Sequence, residues 1–386
     1  LGILHTNWYD EMQNKAFRIS TLYNRKVSSK HTLRAGLIYN NLNYSYFAEQ
    51  AEADWTLSPV LNSDGSTMLF QGYLQGKYKF TEKVLMTAGL HYAYFHQSRD
   101  HSLEPRLGLQ IELPKRQKLS FGFGHHSKNE NLPVYFVEQQ GDDGSLFMPN
   151  LDLKMIRSTH YVAGYDLMFG KDMHLKLETY YQGINKLPVP INPEHVWIPS
   201  FGGVNPEDTL SNSGRGRNYG LELTLQKFFT EGYYFLATAS IFDSKYKPAD
   251  GQWRNTKYNS NYIFNLVGGK EIRWGKNKML EFSSRLLWYG GKRLVAIDLE
   301  ESRAQGETVA DWDELFSSKA RDYFRIDLGL RLHFYKKRAE HIISLDIQNL
   351  TNRLNIWNKY YNPETGSIED YHMAGIIPIL NFRVEF

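Results

Sequence analysis

The sequence predicts an all-β fold, a transmembrane antiparallel β-barrel of about fifteen strands with roughly 10–15 residues each. Three observations carry this expectation: a composition both aromatic and polar, a period-2 alternation along the chain, and connections sorted by length. Of 386 residues, 15% are aromatic, with 26 Tyr and 22 Phe, yet the mean hydropathy is -0.51. A membrane barrel needs both, because each strand shows one face to lipid and the other to water while rings gather at the two interfaces. The longest wholly apolar runs are only a few residues, well short of the roughly 20 that a spanning helix requires.

The elements follow in order. A first strand near Lys15–Lys26 precedes a tight link at Ser28–Lys30. In segment 105–113, Leu107, Leu109, Ile111 and Leu113 oppose Arg106, Gly108, Gln110 and Glu112. Met173, Leu175, Leu177 and Tyr181 likewise oppose His174, Lys176, Glu178 and Gln182, and Tyr219, Leu221, Leu223 and Leu225 oppose Gly220, Glu222, Thr224 and Gln226. From Arg325 to Phe334, Ile326, Leu328, Leu330, Leu332 and Phe334 share one face, and Arg325, Asp327, Gly329, Arg331 and His333 the other. Such alternation marks a strand with unlike surroundings on its two sides. Leu328 and Leu330 are therefore expected against lipid, and Gly329 on a wet face that accepts charge, with an extra steric cost if something packs closely there.

Further tight links fall at Thr81–Lys83, Pro114–Gln117, Gly170–Asp172, Thr230–Gly232, Gly275–Lys278 and Lys336–Glu340. Between them lie wide polar stretches near 47–65, 127–154, 185–213, 246–259, 292–320 and 355–372, with one shorter link near 98–102. Short turns at one end and long loops at the other are what membrane barrels show. Both the first strand and the last, Gly375–Phe386, then run inward. The count is odd, so an odd number of strands is expected before Leu1, since bacterial barrels of this kind have even numbers.

Composition also excludes. With no cysteine there are no disulfides and no thiolate sites;. A net charge of +3 without a basic tail gives no case for a nucleic-acid partner;. The run Gly214-Arg215-Gly216-Arg217-Asn218-Tyr219-Gly220 lacks the spacing and the βαβ context of a phosphate loop, and no motif singles out a catalytic set. No enzyme activity and no cofactor are expected. The turns 114–118 and 336–340 are basic, whereas stretch 47–65 holds Glu49, Glu52, Asp54 and Asp64 without a basic residue, and stretch 292–320 is acidic on balance. This reads either as an outer mouth that gathers cations or as ordinary solvated loop charge, screened over about 10 Å.

The run Leu345-Asp346-Ile347-Gln348-Asn349-Leu350-Thr351-Asn352, followed by a loop and a last strand ending Phe382-Arg383-Val384-Glu385-Phe386, resembles the end of TonB-dependent outer-membrane receptors. Asn218–Thr224, Pro105–Leu109 and Arg325–Leu330 are similar to strands of that family, and His125-His126-Ser127 before Pro133-Val134-Tyr135-Phe136 is most similar to its Bacteroidetes members. The resemblance implies a barrel of about 22 strands plugged by an amino-terminal domain, of which residues 1–386 would be the carboxy-terminal portion, with the plug and about seven strands upstream. It implies TonB-dependent uptake of a scarce nutrient such as siderophore-iron, haem, cobalamin, oligosaccharide or peptide, with TonB–ExbB–ExbD as partner through the plug. It also implies outer-membrane lipid around the wall, the barrel-assembly machinery reading Phe386 as part of its signal, and a surface lipoprotein as a further candidate partner. A passive porin and a surface-binding structural barrel are the alternative readings; a plug upstream favours the receptor.

Candidate ligand contacts come from the loops. Tyr135, Phe136, Trp197, Trp253, Trp312 and Trp357 lie in or beside the long stretches, where rings can stack on cargo or serve structure. His125 and His126 are imidazoles suited to iron or zinc, but neighbours in a strand point to opposite faces. Trp288, Tyr289, Phe334 and Tyr335 read as interfacial girdle residues.

Overall fold

Fifteen strands pair each with the next along the chain, all antiparallel, in one continuous sheet. The computed structural model describes residues 8–51, 56–141, 143–202 and 208–386. The strands are β1 Trp8–Lys26, β2 His31–Ala51, β3 Leu57–Lys79, β4 Val84–Phe95, β5 Asp100–Leu113, β6 Gln117–Lys128, β7 Ile156–Phe169 and β8 Met173–Pro190. They continue as β9 Leu210–Thr230, β10 Tyr233–Lys247, β11 Tyr262–Arg273, β12 Lys278–Tyr289, β13 Tyr323–Tyr335, β14 Glu340–Gln348 and β15 Ile377–Glu385. Among the described residues β1 and β15 do not pair, so the sheet stays open. The expectation of about fifteen strands is borne out.

The turns at the inner end are tight for reasons written in the chain. Gly170, Gly232 and Gly275 take φ of 59°, 77° and 70°, the left-handed region that glycine enters without steric cost. At the other end the expected lengths need correction. β2 has 21 residues and β3 has 23, beyond the expected 10–15, and most of stretch 47–65 is paired strand, with Gln50 opposite Ser58 and Tyr46 opposite Ser63. β8 likewise runs on to Pro190 and β9 begins at Leu210, while β5 already begins at Asp100. These strands continue past the lipid because their outer ends still have something to pack against, as the loops show below. Glu52 and Asp54, expected at the mouth, lie outside the described residues.

The lipid face is the one with exposed apolar side chains. On β9 and β10 these are Tyr219, Leu221, Leu223 and Ile241, and near the inner end Phe228, Phe229 and Tyr233. Ten residues separate Tyr219 from Phe229, about 33 Å of strand at about 3.3 Å per residue, or about 25 Å of membrane when tilted about 40°. That matches the apolar band of an outer-membrane barrel. The expected girdle divides between two faces. Trp288 is exposed on the lipid side and pairs with Phe324, and Phe334 shares that face through Lys278. Tyr289 instead stacks on Tyr323 at 4.4 Å, and Tyr335 lies beside His333 and donates to the Met279 sulfur. The period of two puts both on the inner wall.

Candidate functional site

The outer loops fold against one another, and sequence order dictates how. β3 pairs with β4 only from Leu69 to Lys79, which leaves the projecting part of β3 with a bare edge and an apolar flank. Residues 129–141 and 143–155 cover both. Glu138 N–H donates to Val60 O, and Val134, Tyr135, Phe136, Leu153 and Met155 pack with Tyr46, Ala48, Leu61 and Phe95 in a buried cluster. The helical turn α1, Leu132–Tyr135, starts with Pro133 in its first positions, where the missing amide costs nothing. Tyr135 is 0% exposed, stacked edge-on against Phe95 at 5.4 Å, and its hydroxyl accepts from the Glu130 amide. Phe136 stacks on Tyr44 at 4.2 Å. In this arrangement both rings serve packing and offer no surface to a ligand.

A second buried cluster joins Leu187 and Val189 at the end of β8, Tyr246 at the end of β10, and Val196, Ile198, Leu315 and Phe316 from two loops. Trp197 packs against both clusters, and its indole N–H and the His195 imidazole share the buried Asp208 carboxylate. Trp253, Trp312 and Trp357 remain open to solvent, Trp253 under the Arg217 guanidinium at 4.3 Å and Trp357 under the Lys292 ammonium at 4.7 Å. Residues 292–320 carry a short helix, α2, at Leu299–Gln305, whose Asp298 cap accepts from Glu301 N–H. Its Arg303 donates to Gly366 O in the hairpin 356–372.

Glu130, at the root of the loop 129–155, is 4% exposed and one of its carboxylate oxygens has no hydrogen-bond partner. Burial pushes its pKa up, against the weaker opposing pulls of the Asn131 amide, Lys128 and Ser200. A carboxyl whose folded value is raised favours the folded loop below the ordinary value of 4.5, and that contribution is lost as pH rises through the folded value;. Amide exchange of residues 129–155, corrected for intrinsic rates, is expected to show less protection at pH 8 than at pH 5. In Glu130→Gln the difference should vanish; a difference of unchanged size would refute the role of this carboxyl.

Beneath the loops, the inner wall of β4 to β9 carries a connected polar patch. Glu104, 1% exposed, accepts from His91 at 2.9 Å, from Arg106 at 2.8 Å and from Ser127. His126 lies back over Gly124, where a Cβ would meet its Nε2 at 2.6 Å. Its ring stands edge-on to His160 at 5.0 Å. Gln182 donates to Ser158 and to His160 Nε2, and Asn218 donates to Gln182 at 2.8 Å. His125 points the other way and meets Thr159 at 3.0 Å. The two adjacent histidines thus do not converge. Among the described residues no group of three or more His, Asp or Glu is placed to hold a metal ion. What the patch offers is a wall of paired donors and acceptors, with the half-exposed Arg106 guanidinium, paired to Glu104, at its surface. Glu104, His91, His160 and Asn218 were not singled out by sequence, because only the strand register brings them together.

Residues 3–350 match the family described as TonB dependent receptor-like, beta-barrel. The chain belongs to this family. No match was found among curated proteins. Among solved structures, this TonB-dependent receptor barrel is similar to the ferric yersiniabactin uptake receptor FyuA of Yersinia pestis, at 15% identity and a TM-score of 0.64, covering 98% of this chain and 54% of that one. It is similar also to the ferric preacinetobactin receptor BauA of Acinetobacter baumannii, at 12% identity and a TM-score of 0.64, covering 97% and 54%. The ferric-catecholate import receptor Fiu of E. coli K12 gives 12% identity and a TM-score of 0.65, covering 96% and 54%. The chain spans about half the length of these receptors. It is an outer-membrane β-barrel wall, and Phe386, expected to carry the assembly signal, ends it fully exposed.

Proposed function

We propose that this chain forms the carboxy-terminal barrel portion, residues 1–386, of a receptor that takes up a scarce nutrient across the outer membrane with energy delivered by TonB–ExbB–ExbD. The observation that carries the reading is the union of two features in one wall. Interlocked outer loops leave Trp312 and Trp357 exposed at the mouth, and the inner wall of β4 to β9 carries the polar patch around Glu104. Cargo held by the open rings would pass along donors and acceptors already paired with one another, so the wall binds it weakly enough to release it. The named similarities to ferric-siderophore receptors make an iron chelate the first cargo to try. Tyr135 and Phe136 would join contact with cargo only if the loop 129–155 opens, His126 would meet it on the inner wall, and His125, on the other face, would not.

The test is growth on limiting iron supplied as defined ferric chelates, for the parent, a strain lacking this gene and a strain lacking TonB. Loss of growth on the same chelate in both mutants is the expected outcome. Growth of the gene deletion equal to the parent on every chelate would remove iron as the cargo, and uptake that persists without TonB would favour a passive pore.

A further inference from the structure

We propose that the outer ends of β9 and β10 carry a binding site for the phosphates of an outer-leaflet glycolipid. The inference rests on the barrel reading of the wall and not on the nutrient carried.

Four cations stand there in register, Arg215 opposite Lys247 and Arg217 opposite Lys245. Their direction is fixed by their neighbours. Tyr246 between the two lysines is 1% exposed and its hydroxyl donates to Val196 O at 2.8 Å, inside the loop cluster. A Cβ on Gly214 would overlap the Val189 side chain, and one on Gly216 would meet Ile184 at 3.2 Å. The residues between them therefore point outward, on the same face as Tyr219, whose hydroxyl donates to Asp243 at 3.2 Å. Arg217 and Arg215 lie two and four residues beyond Tyr219, about 7 and 13 Å along the strand. That is the level of the headgroups above the apolar band.

Like charges facing each other across a strand pair repel, and the protein supplies little to offset them. Asp243 lies 3.6 Å from Lys245, and Asp250 is taken by Arg254 at 2.5 Å. Among the described residues Arg215, Arg217 and Lys247 have no carboxylate partner. Trp253 stacks on the Arg217 guanidinium, whose Nε is buried without an acceptor, and so holds that side chain in place. Fixed guanidinium forks and ammonium groups are suited to phosphate oxygens. Directly below, Tyr219, Leu221 and Ile241 present an apolar surface for acyl chains, which a free phosphate would not use.

The test is retention by the full chain in detergent, read by native mass spectrometry with diphosphoryl lipid A, its dephosphorylated form and inorganic phosphate as probes. Diphosphoryl lipid A is expected to remain bound to the parent protein. In the combined variant Arg215→Gln, Arg217→Gln, Lys245→Gln and Lys247→Gln, retention should fall at least tenfold. Lys336→Gln with Lys337→Gln and Arg338→Gln, at the opposite end of the wall, should retain the lipid in full. If the fourfold variant does not fold, as judged by heat-modifiable migration, Lys245→Gln with Lys247→Gln alone should still lower retention severalfold. Equal retention by parent and variant, or of the dephosphorylated lipid, would overturn the site. Full displacement by millimolar inorganic phosphate would reassign it to a free anion.

Discussion

Leu223→Arg is expected to destabilise the barrel in a bilayer by about 2–4 kcal/mol. Leu223 is 42% exposed on the outer face, four residues from Tyr219 and six from Phe229, and so lies near the middle of the apolar band. An arginine there must either stay in hydrocarbon or bend toward an interface, and both cost free energy. Its neighbour Thr224 pairs with Lys176 and Thr238 on the inner wall, so Thr224→Arg should change little. Urea titration of folding into bilayers of two thicknesses checks both, the cost of the Leu223 change falling in the thinner one. Equal costs for the two positions would sink the assignment of faces. The same logic applies to Leu330, which pairs with the exposed Phe282. It fails for Gly329, expected to accept an arginine on a wet face. A Cβ there would meet Ser283 Oγ at 2.5 Å and Asp346 Oδ1 at 2.9 Å, so the wall's own side chains crowd the position whatever fills the lumen.

Phe95→Ala should cost about 3–5 kcal/mol, the range for emptying a large aromatic site in a packed core. Phe95 is 0% exposed at the end of β4 and holds Tyr135 edge-on. The loss is expected to fall on the loop rather than on the membrane band. Amide exchange of residues 129–155 should accelerate sharply while heat-modifiable migration persists. Unchanged exchange in that segment would show that the cluster does not hold the loop down.

The membrane-embedded part was legible because lipid and water impose opposite demands on alternate residues, as Tyr219 to Gln226 display. The mouth was not. Glu49, Glu52, Asp54 and Asp64 made 47–65 look like a solvated loop, although Tyr44, Tyr46 and Ala48 already alternate with Ser45 and Phe47 and belong to a continuing strand. Tyr135 and Phe136 illustrate a further limit: a ring in a long loop has the same letter whether it faces cargo or core, and only the bare flank of β3 decides between them. The Glu104 patch was hidden differently. His91, Glu104 and Arg106 sit on two strands, and their meeting depends on the pairing of His91 with Glu104, which alternation alone does not specify;.

The β2–β3 hairpin stands well clear of the membrane. Twenty-one residues make about 69 Å of strand, or about 53 Å of height at a tilt near 40°, against an apolar band of about 25 Å;. Most connections between strands are soft, and an antibody, phage fibre or toxin that grips one must first arrest its motion. Here the ladder from Gln50–Ser58 downward and the loop braced on its flank have already removed that freedom. An attacker reaching the cell surface meets a stiff upright ridge whose shape is fixed in advance, so little affinity is lost to ordering it. The architecture that steadies the mouth for cargo also makes it a durable landmark for whatever hunts the cell.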